Sequence, residues 1–221
     1  MTVVVLLGAP GAGKGTQAPI LSAHLGVPHV ATGDLFRAAV RDGSPVGLQA
    51  RRYMERGQLV PDDITIAMLL HRLEAADATD GVILDGFPRN RAQAIALDAA
   101  LVDRDTAVSR ALSIDVPLDD LVRRLSGRWV CSAAGHVFNE HSNRPRVEGR
   151  CDLDDSPLIQ REDDKAETIR ARMDLTLASL AEVAAHYGAA GVLRSVDGMQ
   201  SIDAVTADLL AALADDAMEA V

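Results

Sequence analysis

Gly8-Ala9-Pro10-Gly11-Ala12-Gly13-Lys14-Gly15-Thr16 is a run of residues suited to holding phosphate. It fits G-x-x-x-x-G-K-[ST] with Gly15 inserted before the threonine, after an apolar run and before a stretch of helical spacing. The glycines let successive backbone N–H groups turn inward onto phosphate oxygens, and the helix behind them presents its positive end. Lys14 can reach β- and γ-phosphates, and Thr16 offers a hydroxyl to an accompanying metal. Asp85 closes a second apolar run, Val82-Ile83-Leu84. In a parallel sheet that run delivers the carboxylate to the same edge as the loop, where it can hold Mg²⁺ directly or through water.

The elements that must position these groups follow from hydrophobic periodicity. Val3 to Leu7 reads as a buried strand, and Ala18, Leu21 and Leu25 mark the helix that follows it. Val27 to Val30 and Ala111 to Val116 read as further strands. Helices open near Thr32 and at Pro61-Asp62-Asp63, where the acids suit the helix dipole. Further helices run over Ala92 to Leu101 and Leu118 to Leu125. The regular pattern then dissolves from Gly127 to Asp164, which reads as an inserted subdomain. A long helix (Glu167 to Tyr187), a strand (Val192 to Val196) and a C-terminal helix from Ser201 complete the chain. Alternating strands and helices imply an α/β fold with a parallel sheet covered on both faces.

Composition narrows the partners. The formal charge is −10, with 32 acids against 22 bases, so a general polyanion binder is disfavoured. Among the bases only Lys14 and Lys165 are lysines. The rest are arginines, which grip phosphate bidentately, so their placement matters more than their total. Arg41, Arg51, Arg52, Arg56, Arg104 and Arg110 are expected on solvated faces or in surface ion pairs. No segment reaches eighteen apolar residues and no positively charged leader precedes the first apolar run, so a cytoplasmic location is expected. Two cysteines are too few for a disulfide framework.

Several motifs occur together in order: GAPGAGKGT, TGD-x-x-R (Thr32, Gly33, Asp34, Arg37), LDGFPR (Leu84 to Arg89) with Gln93, Gly127-Arg128, and QREDD (Gln160 to Asp164) with Arg172. Their order and spacing resemble the adenylate kinase family in its long-lid form, over nearly the whole chain. The resemblance implies a P-loop parallel β-sheet flanked by helices (1–30, 61–126 and 165–221), with an inserted AMP-binding segment (31–60) and an inserted lid subdomain (127–164). It implies reversible, Mg²⁺-dependent phosphoryl transfer from ATP to AMP, giving two ADP, by a monomer with no nucleic-acid or membrane partner. UMP/CMP-type kinases share the loop and the DGFPR turn but typically have a short lid. A nucleotide-binding module without catalysis is the other reading, against which Lys14, Asp85 and the arginine cluster all stand.

Carried over by position, ATP would lie on Gly11, Ala12, Gly13, Lys14, Gly15 and Thr16, with Arg128, Val137, Phe138 and Gln200 around its base. AMP would lie on Thr32, Arg37, Gln58, Leu59, Val60, Gly86, Phe87, Pro88, Arg89, Gln93, Arg161 and Arg172, with the Gln93 amide reading the adenine edge. Lys14, Arg89, Arg124, Arg128, Arg161 and Arg172 would surround the moving phosphoryl group, and Thr16 and Asp85 would serve Mg²⁺. Two positions depart from the family pattern: Ala31 stands where serine is usual, and Gln200 where some members have lysine.

Cys131-x2-Ala134-x16-Cys151-x2-Asp154 follows the lid spacing that binds zinc in some members, but Ala134 has no donor atom. The three remaining groups leave a tetrahedral site open. The resemblance thus implies a metal-free lid without structural zinc. His136 and His141 are further donors, neither at the family position.

Overall fold

The computed structural model describes residues 1–54, 60–160 and 166–214, with the side chains of 166–168 and 170–172 excepted. Gln58, Leu59, Arg56 and Arg161, and the side chain of Arg172, therefore lie outside the described residues.

Side-chain alternation along β1 (Thr2–Leu7) creates the two layers of the core. Val4 and Leu6 face one side and pack with Ala18, Leu21, Leu121, Leu125 and Leu209. Val3, Val5 and Leu7 face the other and pack with Leu69, Leu97, Leu101, Val183 and Tyr187. Buried on both faces, β1 must be apolar throughout, and only Thr2 at its start is exposed. The remaining strands of its sheet are β2 (His29–Ala31), β3 (Gly81–Asp85), β4 (Val108–Asp115) and β8 (Leu193–Asp197), in the order β2-β3-β1-β4-β8. Every pairing is parallel. All five strands therefore deliver their carboxyl ends to one edge, where α/β proteins bind ligands.

Helices α1 (Lys14–Leu25), α4 (Asp62–Leu73), α5 (Arg91–Val102), α6 (Leu118–Ser126), α7 (Ala166–Ala189) and α8 (Ile202–Ala214) cover the sheet. Among the described residues none is long and apolar enough to cross a membrane. Two elements depart from the sequence-based expectation. The 31–60 stretch contains two helices, α2 (Thr32–Arg41) and α3 (Pro45–Met54), where only one helix start was expected. The 127–164 stretch carries a small antiparallel sheet of β5 (Arg128–Cys131), β6 (Val137–Asn139) and β7 (Leu158–Ile159), ordered β6-β5-β7. Its core is Cys131, Phe138, Cys151 and Leu158 with Trp129 against it. A correction also concerns Arg110: it is 4% exposed inside β4, where its Nε donates to the Ala212 carbonyl at 3.2 Å.

Gly47 sets how closely α2 and α3 approach. A Cβ there would lie 2.0 Å from the Ala39 carbonyl oxygen, a backbone atom that cannot swing away. Gly47→Ala is expected to destabilise the protein by about 1–3 kcal/mol, read as a lower midpoint in urea unfolding. An unchanged midpoint would show that the two helices are not in backbone contact.

Candidate active site

The phosphate loop leaves β1 at Leu7 and enters α1 at Lys14, with Gly13 as the N-cap at φ 109. That left-handed conformation favours glycine, and no side-chain cap competes with the loop's own N–H groups. The Lys14 ammonium donates to the carbonyls of Gly8 at 2.6 Å and Ala9 at 3.3 Å. Thr16 is exposed one turn into α1. Asp85 ends β3, and register places it opposite Leu6 of β1 and Ala31 of β2, so its carboxylate stands beside the loop. Desolvation lowers the Lys14 pKa, Asp85 pulls it back up, and Arg89 and Arg128 push it down. Burial alone would raise the Asp85 carboxyl; His29 (Nε2 at 3.5 Å), Lys14 and Arg89 more than offset it, so the net shift is downward. Asp85 at the end of β3, Arg89 in the turn after it and Arg128 at the start of β5 thus all act on the Lys14 ammonium at the start of α1.

On the acceptor side, the Gly86 carbonyl is the gathering point. It accepts from Thr32 Oγ1 at 2.9 Å and from Arg89 Nε at 2.8 Å, tying the start of α2 to the turn after β3. Gly86 itself adopts φ 74, and the Phe87–Pro88 bond is cis. Phe87 is 1% exposed and belongs to the sheet core, so what it can offer a ligand is backbone. Val60 is likewise buried, against Phe36 and Ala50. Arg37 is exposed and ion-paired with Asp34 one turn earlier. Gln93, buried in the first turn of α5, accepts from the Arg89 N–H at 2.8 Å and donates to Asp62 at 2.6 Å.

On the donor side, Arg124 of α6 donates to the Gly198 carbonyl at 2.9 Å, joining α6 to the loop after β8. Gln200 in that loop donates to Asp208 at 2.7 Å. Beside it a cleft of about 430 Å³ opens at the carboxyl ends of β4 and β8, lined by Asp115, Val116, Pro117, Ser195, Asp197 and Met199. The lid is anchored close by: Asn139 Nδ2 donates to the Arg124 carbonyl at 2.8 Å, and Gln160 Nε2 to the Ser126 carbonyl at 2.7 Å. Val137 is 54% exposed, whereas Phe138 is 5% exposed and spends its ring on the lid core.

Comparison with known proteins agrees with this geometry. The family model for adenylate kinase matches residues 6–192. Over 210 residues the chain is 47% identical to an adenylate kinase of Thermodesulfovibrio yellowstonii, covering 95% of this chain and 98% of that protein. An adenylate kinase of Acidothermus cellulolyticus is 45% identical over 210 residues, covering 95% of this chain and 97% of that one. One from Salinispora tropica is 47% identical with the same coverage. The chain belongs to the adenylate kinase family. Members of that family are phosphotransferases, and the main reading of the motifs stands.

Ala134 leaves the family's second ligand position in the 127–164 segment without a donor, and a further donor stands close to the other three. His136 enters instead, and donor atoms of Cys131, His136, Cys151 and Asp154 all lie within 4.8 Å of one another. His136 Nδ1 is 3.2 Å from Cys151 Sγ and 3.4 Å from Asp154 Oδ2, and Cys131 Sγ is 3.1 Å from Asp154 Oδ2. Around tetrahedral zinc, ligand atoms sit roughly 3.3–3.8 Å apart, from Zn–S near 2.3 Å and Zn–N or Zn–O near 2.0–2.1 Å. The donors carry the right chemistry for zinc, and their separations, from 3.1 Å to no more than 4.8 Å, bracket that spacing without matching it pair by pair. Burial would raise the Cys131 thiol, but the Ser156 hydroxyl and the Ala134 N–H (3.2 Å from the sulfur) bring it down to about 7, which favours the ligating thiolate. Hydrogen bonds from the Ser156 side chain and from Cys131 hold Asp154 well below the usual carboxylate range. Of the two further donors off the family position, His136, two residues beyond Ala134, is the one that lies beside Cys151.

Proposed function

We propose that the chain transfers the γ-phosphoryl group of MgATP to the phosphate of AMP, reversibly, giving two ADP. The observation that carries this reading is the one sheet edge where Asp85 stands opposite Leu6 at the root of the phosphate loop, with Lys14 on the loop carbonyls and Arg89 on the Gly86 carbonyl. No general base is needed, because an AMP phosphate oxygen is already anionic. The barrier lies in aligning two polyanions and neutralising the charge on the moving group. The nucleotide pair carries roughly six negative charges, each terminal phosphate adding about −1.5 to −2. Lys14, Arg37, Arg89, Arg124, Arg128, Arg161 and Arg172 are the cations to match them.

In this reading the loop N–H groups and Lys14 hold the ATP phosphates, and the cleft beside Gly198 and Gln200 takes the base. Thr32 and the backbone from Gly86 to Pro88 frame AMP. Arg37 and Arg89 grip its phosphate, and Gln93 reads its base. Thr16 and Asp85 would hold Mg²⁺, which when bound neutralises charge on the β- and γ-oxygens. The 31–60 segment and the lid would close over both substrates and exclude water, the competing acceptor. A cytoplasmic monomer that balances adenine nucleotides fits this chemistry. The long lid, with its own sheet and core, favours this reading over a UMP/CMP-type kinase.

Cys131, His136, Cys151 and Asp154 would hold a structural zinc in the lid, which would pin its hairpins where so few apolar residues form the core. His141 has no part in it.

Two outcomes are expected. Lys14→Met should lower ADP formation from ATP plus AMP by at least about 10²-fold, in the range of losing a charge-stabilising group, with the unfolding midpoint preserved. Retained activity would remove Lys14 from the phosphate site. Protein purified without a histidine tag should contain about one zinc per chain, falling in His136→Ala. Zinc-free protein with a stable lid would refute the metal, and zinc unaffected by His136→Ala would refute the ligand.

A further inference from the structure

Gln93 is the buried amide expected to read the acceptor base, and its value as a reader depends on which end is nitrogen. A side-chain amide is nearly symmetric in shape, and rotating it by half a turn exchanges its donor and its acceptor. Its orientation must therefore be set by neighbours. In this chain the neighbours have no ambiguity of their own. Gln93 Nε2 donates to Asp62 Oδ1 at 2.6 Å, and an ionised carboxylate can only accept. Gln93 Oε1 accepts from the Arg89 backbone N–H at 2.8 Å, and a backbone N–H can only donate. Rotating the amide would set donor against donor at Arg89 and acceptor against acceptor at Asp62. Asp62 is itself held, because its second oxygen accepts from Asn90 Nδ2 at 2.9 Å. Asn90 in turn caps α5 by accepting from the Gln93 N–H at 2.8 Å.

We infer that Asp62 is a specificity-determining residue that fixes the Gln93 amide in the one orientation that reads a 6-aminopurine and rejects a 6-oxopurine. This rests on the reading of Gln93 as the base-contacting residue. With one Nε2 hydrogen and one Oε1 lone pair engaged, the amide has one donor and one acceptor left. Adenine offers N1 as an acceptor and its 6-amino group as a donor, which is the complementary pair. Guanine and hypoxanthine present the opposite pair on the same two positions, a 6-oxo acceptor and an N1–H donor. A locked amide meets them with two mismatches, and buried unpaired polar groups discriminate far more strongly than lost apolar contact. A free amide would turn over and accept either purine.

The lock is non-local. Asp62 opens α4 and Gln93 lies in the first turn of α5, 31 positions later. The contact between these helix starts is therefore a recognition element as well as packing. Asp62 touches Gln93 and Asn90 through its carboxylate, which makes it a positioning residue.

The test compares AMP with IMP as acceptor, because IMP carries the 6-oxo group without the 2-amino group of GMP. In Asp62→Asn one of the two acceptor oxygens becomes a donor, so the two amides facing it can no longer both keep their orientations. The ratio of kcat/KM for AMP to kcat/KM for IMP is expected to fall at least tenfold, mainly through KM, with KM for ATP within twofold of wild type. A merely structural role would depress both acceptors together and leave the ratio unchanged, which overturns the proposal. Gln93→Leu separates the two layers of the argument. If it leaves the ratio intact, Gln93 does not read the base, and the underlying reading fails. If it collapses the ratio while Asp62→Asn does not, the base reading stands and the lock alone is refuted. The double variant is expected to show no further loss of selectivity beyond Gln93→Leu.

Discussion

The site depends on one register. Leu6 of β1 lies opposite Asp85 of β3, so the carboxylate at the end of one buried strand arrives beside the loop that grows from the other. Asp85 then offsets the desolvation of Lys14, and Lys14 and His29 keep Asp85 ionised. A slip of one residue would turn Asp85 toward the opposite face of the sheet. The uniformly apolar strands prevent that slip, because Val3, Val5 and Leu7 on one face and Val4 and Leu6 on the other are already committed to two different cores.

Around this pair the chain reuses a few polar atoms as joints. The Gly86 carbonyl collects Thr32 and Arg89, Asp62 collects Gln93 and Asn90, and the carbonyls of Arg124 and Ser126 collect the two ends of the lid. The first ties the start of α2 to the turn after β3, the second ties the start of α4 to that of α5, and the third ties the 127–164 segment to α6. Such bonds are worth only about 0.5–1.5 kcal/mol each.

The sequence was most informative where chemistry constrains residue type along a short stretch. Gly8 to Thr16, Thr32 to Arg37 and Leu84 to Arg89 are contiguous motifs, and the register of β1 and β3 brings the ends of the first and third to one sheet edge. Legibility failed where the relation is spatial. Asp62 read as a helix-start acid, because its partner lies 31 positions away. His136 read as off-pattern, because hairpin geometry rather than spacing brings it to Cys151. The lid strands are three or four residues long or shorter and are set among turn residues, so they carry too little alternation to register as β structure. Nothing in the sequence shows that the Phe138 ring packs in the small core of the 127–164 sheet, with Cys131, Cys151 and Leu158.

The net charge of −10 is no obstacle to binding two polyanions, because net charge sets long-range steering and solubility and not which groups line a site. The central claim, that the γ-phosphoryl group passes to a nucleotide and not to water, has a direct test in isotope tracing. With γ-labelled ATP, Mg²⁺ and AMP, the account predicts that label appears in the β-phosphate of newly formed ADP with negligible inorganic phosphate. Label released chiefly as inorganic phosphate, or retained in ATP, would contradict it.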